Sequence, residues 1–411
     1  MGEDTDVIIV GAGLAGLRAA QVLNAAGVEV EMFDAAAQVG GRVTSSVVDG
    51  FVLDEGFQLI NPAYPELRAT GVLADFDLRR FAPVVEFGDG GRTTAVADPR
   101  AGLVGAMRSL RHPELTMRDA VRLARLLTEV ARRPVSRLTS APDTTTRRAL
   151  AERGISERAI DGVIQPFLRG ALLDDALETS WHYSQLVLKS LVRGRPGTHP
   201  RGVGALPVAL AATLSRTRLH LGEEVTSVTA NEVASRERRR RARTVIVASD
   251  PSSARRLLGG SGDVAWRAQT TWWWSLPSLR DSDRLRVDTR RRFLSSALDV
   301  SSVAPERAPR GRSLVAASAN VVGATDDDAV RADVARLYGV AAGEVHLIRR
   351  TPVPRALPVV ASPLDLRRTQ DVKGIIVAGD YLQTPSIQGA LVSGRRAAGL
   401  ALSRLRESRR P

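Results

Sequence analysis

No cysteine occurs among the 411 residues, so neither a disulfide framework nor a thiolate metal site can hold this chain together. Lysine is almost missing as well. Lys189 and Lys373 are the only lysines among 58 basic residues, and the arginine that replaces them is what a GC-rich coding bias produces. No apolar run reaches the ~18–20 residues that a bilayer-crossing helix needs. What is present is ordinary for a soluble globular protein: 44% hydrophobic residues and enough length for a large core shared between two domains.

Positive charge exceeds negative by 13, which raises nucleic acid as a partner. The distribution argues against it. The densest basic run, Arg236 to Arg243, lies between two strand-like stretches, Glu224 to Thr229 and Thr244 to Ala248, and a solvated hairpin tip accounts for it. Contact with an anionic lipid surface, an acidic redox partner or RNA is the competing reading. No helix-turn-helix, zinc finger or aromatic-basic RNA signature accompanies the run, so no nucleic acid is expected. The first residues, Met1-Gly2-Glu3-Asp4-Thr5-Asp6, are acidic and run straight into a strand, unlike a signal peptide. A cytoplasmic location is expected, with peripheral membrane contact left open.

The chain is organised around its first forty residues. Asp6 to Val10 reads as a short buried strand, Gly11-Ala12-Gly13-Leu14-Ala15-Gly16 as a tight turn, and Leu14 to Ala26 as a helix ending at Gly27. Each glycine has its own task. Gly11 permits the sharp turn, Gly13 removes a side chain that would block a pyrophosphate, and Gly16 lets the helix lie close to the sheet. The free amides at the helix start, at Leu14 and Ala15, face the phosphates. A second strand, Val28 to Phe33, ends in Asp34, about 20 residues downstream, where an acidic side chain accepts hydrogen bonds from both ribose hydroxyls.

Gly40-Gly41-Arg42 and then Val52-Leu53-Asp54-Glu55-Gly56-Phe57 follow. With them the chain resembles the superfamily of FAD-dependent amine oxidases, protoporphyrinogen oxidases and phytoene desaturases, above all its phytoene desaturase-like members. Val377-Ala378-Gly379-Asp380-Tyr381 and Pro385-Ser386-Ile387-Gln388-Gly389-Ala390, ahead of a helix, look like that superfamily's closing flavin motif. Val245-Ile246-Val247-Ala248 resembles one of its core strands; the likeness is thin over residues 63–198. It implies FAD as cofactor and an α/β fold. A Rossmann-like FAD-binding domain of GR2 type would take residues 1–62, 199–255 and 345–411. A discontinuous α+β substrate-binding domain would take 63–198 and 256–344 and carry a helical insertion. The missing cysteine rules out the thioether flavin link that some amine oxidases make.

The resemblance also assigns roles. Gly40, Gly41 and Arg42 run beneath the flavin side, where the Arg42 guanidinium can neutralise phosphate or polarise the ring; the resemblance favours the first role, and a surface ion pair is the alternative to both. Gly56 and Phe57 bring backbone against the isoalloxazine face, Val225 meets the adenine, and Gly379 and Asp380 bind the ribityl or phosphate region. Ser386, Ile387, Gln388 and Ala390 open the last helix, whose amide end faces the pyrimidine ring and stabilises the negative charge that builds there on reduction. At Arg201-Gly202-Val203-Gly204 the arginine and valine stand where phytoene desaturase-type relatives have glycine and methionine, which puts the flavin contact there in question.

Between Ala63 and Pro200 the pattern turns helical. Apolar residues at three and four spacing predict helices over Ala101 to Leu110, Met117 to Arg132, Thr144 to Glu152 and Thr179 to Val192. The second sets a leucine-rich stripe against an arginine-rich face, which suits packing within the domain or a membrane surface. Farther on, Thr270 to Ser275, Phe293 to Leu298 and Leu314 to Asn320 read as strands, Asp326 to Tyr338 as a helix and Gly343 to Arg350 as a strand. Trp272 and Trp274 share one face of their strand. They are candidates for substrate contact, with burial between sheet and helices as the alternative.

The flavin would take a hydride equivalent from a C–H bond while the protein orients the donor and excludes water. Neither Gly202-Val203-Gly204 nor Gly259-Gly260-Ser261-Gly262 stands in a strand-turn-helix context, so an NADPH-fed reductase is not expected. An oxidase or dehydrogenase reoxidised by dioxygen or a quinone fits better. His182 and Lys189 are the unusual titratable groups of the insertion and the candidates for a catalytic base, each with a structural role as its alternative. No motif places a lysine at the flavin. That favours desaturase-like dehydrogenation of an apolar small molecule over amine oxidation with peroxide release. A non-catalytic binding protein on the same fold is the third reading, and the intact cofactor motif counts against it.

Overall fold

The computed structural model describes residues 5–88, 93–97, 112–260, 264–289, 294–323, 326–366 and 368–407. The apolar runs near the two ends of the chain become parallel neighbours. Thr5–Val10 lies between Arg239–Val247 and Val30–Asp34, with Val10 level with Val247 and Phe33. Ile375–Val377 extends the sheet beyond Arg239–Val247, and Thr217–Leu221 extends it beyond Val30–Asp34. Strands covered on both faces read as unbroken apolar runs, which is why the central ones stand out in the sequence. Alternate side chains serve alternate faces. Val7, Ile9, Met32, Ile246 and Ile376 pack with the helices Leu14–Ala25 and Ile387–Glu407. Ile8, Val10, Phe33, Val245 and Val247 pack with Val225 and Val233 from the antiparallel strands Val225–Val228 and Glu232–Ser235. The first and last helices touch so closely that a Cβ at Gly394 would stand 2.1 Å from the Ala15 carbonyl oxygen.

A second sheet of seven strands runs in the order His346–Pro358, Trp266–Pro277, Arg312–Ala319, Ser296–Asp299, Leu285–Asp288, Val84–Gly88, Thr93–Ala97. Three expectations change here. Val84–Gly88 and Thr93–Ala97 fall in the stretch read as helical. Val84–Gly88 pairs antiparallel with Thr93–Ala97, its neighbour in the chain, and in parallel with Leu285–Asp288 far along it. His346–Pro358 pairs along Trp266–Pro277, which places it in the second sheet rather than on the way back to the first.

The third concerns the arginine run, which is a strand and not a hairpin tip. Arg239–Val247 begins inside it and pairs with Glu232–Ser235, leaving only residues 236–238 for the turn. Its charges are matched: Arg238 with Glu223 at 3.1 Å, Arg240 with Glu31 at 3.5 Å and Arg243 with Asp6 at 3.3 Å.

In the insertion the helix Met117–Arg132 forms with both partners of a capping box, Thr116 and Asp119. Thr146–Glu152 and Trp181–Arg193 follow near their expected places, while the helix expected over 101–110 lies outside the described residues. Leu126 and Val130 turn inward against Leu138, Leu150 and Leu188. The leucine stripe is therefore core, and the membrane reading of that stripe falls away. Among the described residues no helix is long and apolar enough to cross a membrane.

Candidate cofactor and substrate site

Two glycines of the first turn are accounted for by the protein itself. Gly11 has φ +113°, and a Cβ there would lie 2.7 Å from the Ala248 carbonyl oxygen, so neither backbone nor packing tolerates a side chain. A Cβ at Gly16 would come within 1.9 Å of the Gly11 oxygen. Gly13 differs. Its φ of −76° and ψ of 178° suit any residue, and nothing lies within 4 Å of where its Cβ would be. It sits at the N-cap of Leu14–Ala25, where no side chain caps the helix, and the amides of Leu14 and Ala15 open onto that space. An uncapped helix start beside an unfilled cradle is suited to a pyrophosphate.

The neighbouring segments converge on this point. Gly40 donates its N–H to the Ala12 oxygen at 2.9 Å and bridges to Gly13, while the Cβ position of Gly41 is 3.6 Å from the Gly13 Cα. Asp34 accepts from the Ala12 amide at 2.6 Å and from the Ala36 amide at 2.8 Å, one on each oxygen. The carboxylate is thus fixed at the end of its strand with a lone pair free on each oxygen for ribose hydroxyls. Val225, 7% exposed, opens the outermost antiparallel strand opposite Ser235, where its backbone can meet an adenine.

At the other end the closing motif meets the early one through a single ion pair. Arg42 donates to Asp380 at 2.6 Å and to the Ala356 oxygen at 3.0 Å, and its guanidinium lies 5.7 Å from the Trp266 ring. The guanidinium is therefore not free at the surface; it ties the two motifs together. Gly379 donates to Ser393 Oγ at 3.0 Å, Ser386 Oγ accepts from the Gly389 amide at 3.0 Å, and Ala390 donates to the Ser386 oxygen. Ser386 therefore caps the helix Ile387–Glu407, which leaves the first amides, at Ile387 and Gln388, for a ligand. The Gln388 side-chain oxygen accepts from the Glu66 amide at 3.0 Å.

Gly56 adopts φ +97°, and the nearest atoms to a Cβ there are Val353 Cγ2 at 3.5 Å and Gln269 Oε1 at 3.8 Å. This open, left-handed turn leaves room for a flat ring, and Phe57 pins it by donating to Thr271 Oγ1 at 3.0 Å. Beneath lies a buried polar knot that sequence patterns did not reveal. Arg307, 0% exposed, donates to Asp54 at 3.0 Å, to the Val52 oxygen at 2.8 Å and to Thr198 Oγ1 at 2.8 Å. Asp54 in turn accepts from Ser45 Oγ at 2.6 Å and from the Val203 amide at 2.9 Å, while Ser45 accepts from the Gly204 amide at 2.9 Å. The Gly202–Gly204 segment is thus locked to the Gly56 strand even though Val203 stands where methionine is usual.

Four candidates are placed elsewhere. Trp272 and Trp274 are both 0% exposed and pack against Val330 and Val334 of the helix Asp327–Tyr338, and the Trp272 indole donates to Asp327 at 2.7 Å. They are core residues behind the sheet and do not line a substrate space. Lys189 Nζ donates to the oxygens of Val130, Ala131 and Arg133 at 2.8–3.0 Å, closing the C-terminus of Met117–Arg132 in place of catalysis. His182, 6% exposed, has Nδ1 3.8 Å from Asp143. Asp143 accepts from Ser180 Oγ, the His182 amide and the Leu364 amide, which marks His182 as part of a structural joint. Its neighbour Tyr183 is the residue of this helix that reaches the closing motif, donating to the Pro385 oxygen at 2.9 Å; burial pushes its pKa up.

Comparison with known proteins gives the family. The sequence profile of the family described as flavin containing amine oxidoreductase matches residues 14–402. Putrescine oxidase from Kocuria rosea is 50% identical over 66 residues, and protoporphyrinogen oxidase 2 from Arabidopsis thaliana is 40% identical over 73 residues. These stretches cover 16% and 18% of this chain and 14% of each relative. In structure, an oxidoreductase from Methanosarcina mazei superposes with a TM-score of 0.76 at 17% identity, over 96% of this chain and 100% of that one. A redesigned putrescine oxidase superposes at 0.71 with 18% identity, over 97% and 99%. The chain belongs to the flavin containing amine oxidoreductase family, and FAD is its cofactor.

Proposed function

We propose that the protein is an FAD-dependent oxidoreductase that dehydrogenates a predominantly apolar small molecule. The observation that carries this reading is the character of the larger cavity beside the closing flavin motif. It measures 530 Å3 and is lined largely by aliphatic groups, among them Pro358, Val359, Val360, Leu364 and Leu382. The charged groups among the described residues that line it are all cations, Arg255, Arg368 and Lys373, which repel an ammonium and suit a mainly apolar molecule that is neutral or carries an acidic end. FAD, when bound, supplies the acceptor for the hydride equivalent. The chain's own part is to hold and shield. The Arg42–Asp380 pair joins the two cofactor motifs, and the Asp54–Arg307 knot fixes the turn at Gly56. The amides at Ile387 and Gln388 offer a positive helix end to developing negative charge. Dioxygen or a quinone would reoxidise the flavin, and the arginine-rich outer face of Met117–Arg132 is where peripheral membrane contact would fall.

A second reading, amine oxidation with peroxide release, has its own support. A smaller cavity of 300 Å3 is lined by Asp174, Asp175 and Glu178 beside Trp266, and putrescine oxidase is among the relatives. Two of those acids are already matched: Asp174 with Arg267 at 3.2 Å and Asp175 with Arg169 at 2.6 Å. That leaves Glu178 alone for an ammonium, which is why the apolar reading is preferred. The deciding experiment is anaerobic. Compounds are screened for bleaching of the bound flavin, which reports hydride donation whatever the natural acceptor. Lipophilic polyenes or related apolar donors should bleach it and polyamines should not; bleaching by polyamines and aromatic amines alone would select the second reading. A protein that takes up FAD yet is bleached by no donor class would return the question to a binding role.

A further inference from the structure

The strand Trp266–Pro277 passes the flavin end of the site twice. At its start Trp266 lies under the Arg42 guanidinium, and farther on Thr271 accepts from the Phe57 amide. Gln269 lies between them. It is 6% exposed, and its Oε1 is one of the two atoms nearest the empty Cβ position of Gly56. The Phe57 amide approaches this side chain at 3.4 Å. An N–H can face only the carboxamide oxygen, so that contact fixes which end is Oε1 and leaves Nε2 as the free end. Among the described residues Nε2 has no hydrogen-bond partner. The residue is nearly buried while its unspent nitrogen reaches open space beside a turn shaped for a flat ring, so a ligand seated there would meet a ready donor.

Resting on the FAD-dependent reading above, we propose that Gln269 contacts the reactive face of the flavin and donates Nε2–H there. A neutral donor at that point does what a base cannot. It favours an electron pair arriving at the ring, as in reduction or the addition of an anion, without taking a proton. It also offers an ammonium no compensating charge, which deepens the preference for uncharged substrates.

The test uses FAD-loaded full-length protein and two variants, Gln269→Glu and Gln269→Met. With Gln269→Glu a charge appears beside the ring as pH rises. The visible flavin bands should then titrate with one pKa that wild type lacks, and a merely structural glutamine would give no such spectral titration. Sulfite is the second probe. Its sulfur lone pair forms a bond to flavin N5, the negative charge passes into the pyrimidine ring, and no proton or further reductant is needed. Gln269→Met should bind sulfite about tenfold more weakly, since a hydrogen bond to a charged adduct is lost. Gln269→Glu should bind it weakly at neutral pH and recover in acid. Flavin spectra of Gln269→Glu that do not change with pH, together with wild-type sulfite affinity in Gln269→Met, would overturn the proposal. Wild-type protein that fails to take up FAD at all would instead overturn the reading on which it rests.

Discussion

The glycine-rich turn and the tryptophan triplet are the two most conspicuous stretches of this sequence, and they differ in what the protein itself does with them. At Trp272, Trp273 and Trp274 the side chains are consumed by the protein: two lie under the helix Asp327–Tyr338 and the third packs with Leu53, Phe81 and Leu298. Within the turn, Gly11 and Gly16 are likewise explained by backbone and packing, but Gly13 is not. An unusual residue points to a ligand when neither conformation nor neighbours require it. Gly13 and Gln269 pass that test, whereas Trp272, Trp274 and Lys189 fail it.

The sharpest way to break the contrast is to fill the two helix glycines in turn. Gly16→Ala drives a methyl into the Gly11 carbonyl and should cost more than about 4 kcal/mol, measured by urea unfolding of the apoprotein. Gly13→Val should shift that unfolding curve by only about 1 kcal/mol, the cost of a poorer N-cap, while FAD is lost on dialysis. A Gly13→Val protein that stays yellow at full occupancy would show that the pyrophosphate lies elsewhere.

Next in size is the polar knot that links the two sides. Arg307→Met leaves Asp54 buried without its cation and should destabilise by about 3–5 kcal/mol. Adding Asp54→Asn should restore part of that loss, because the uncompensated charge is then gone. If the two single losses simply add, the pair is not coupled as its 3.0 Å contact implies.

These residues show where sequence reading stops. The dinucleotide turn is legible because its determinants are local: strand, turn and helix lie within some twenty positions and each imposes a residue type. The double glycine, Arg42 and the Gly379–Asp380 motif were found by resemblance, yet their meeting through an ion pair was not, since pairing across the chain leaves no periodic mark. Val84–Gly88 joins the second sheet through Leu285–Asp288 as well as its own hairpin partner, and the arginine run pairs as a strand with Glu31, Glu223 and Asp6 as its counter-charges. Arg307 sits in a short turn, Pro305–Arg307, with nothing around it to announce a buried cation. Gln269 had no signal beyond its place ahead of the tryptophans.

A smaller effect should come from the joint around Asp143. Burial raises its pKa, but hydrogen bonds from Ser180, Leu364 and His182 outweigh that and hold the carboxyl below its ordinary value. A depressed folded pKa means that the stabilisation is complete above about pH 4, the unfolded value, and disappears as pH falls through the folded one. Asp143→Asn should therefore cost about 1–2 kcal/mol at pH 7 and converge with wild type in acid. A constant difference across pH would mean that the side chain acts by shape alone.

Lys189 closes the series, because it separates a conspicuous residue from a functional one. Its ammonium donates to three carbonyls at the end of Met117–Arg132, and capping of this kind is worth about 1 kcal/mol. Lys189→Met keeps the apolar stem and removes only the donors. It should lower stability by that amount while leaving FAD occupancy and the anaerobic bleaching rate unchanged. A fall in bleaching rate at unchanged occupancy would return Lys189 to the chemistry, and with it the amine reading that a lysine near the flavin would support.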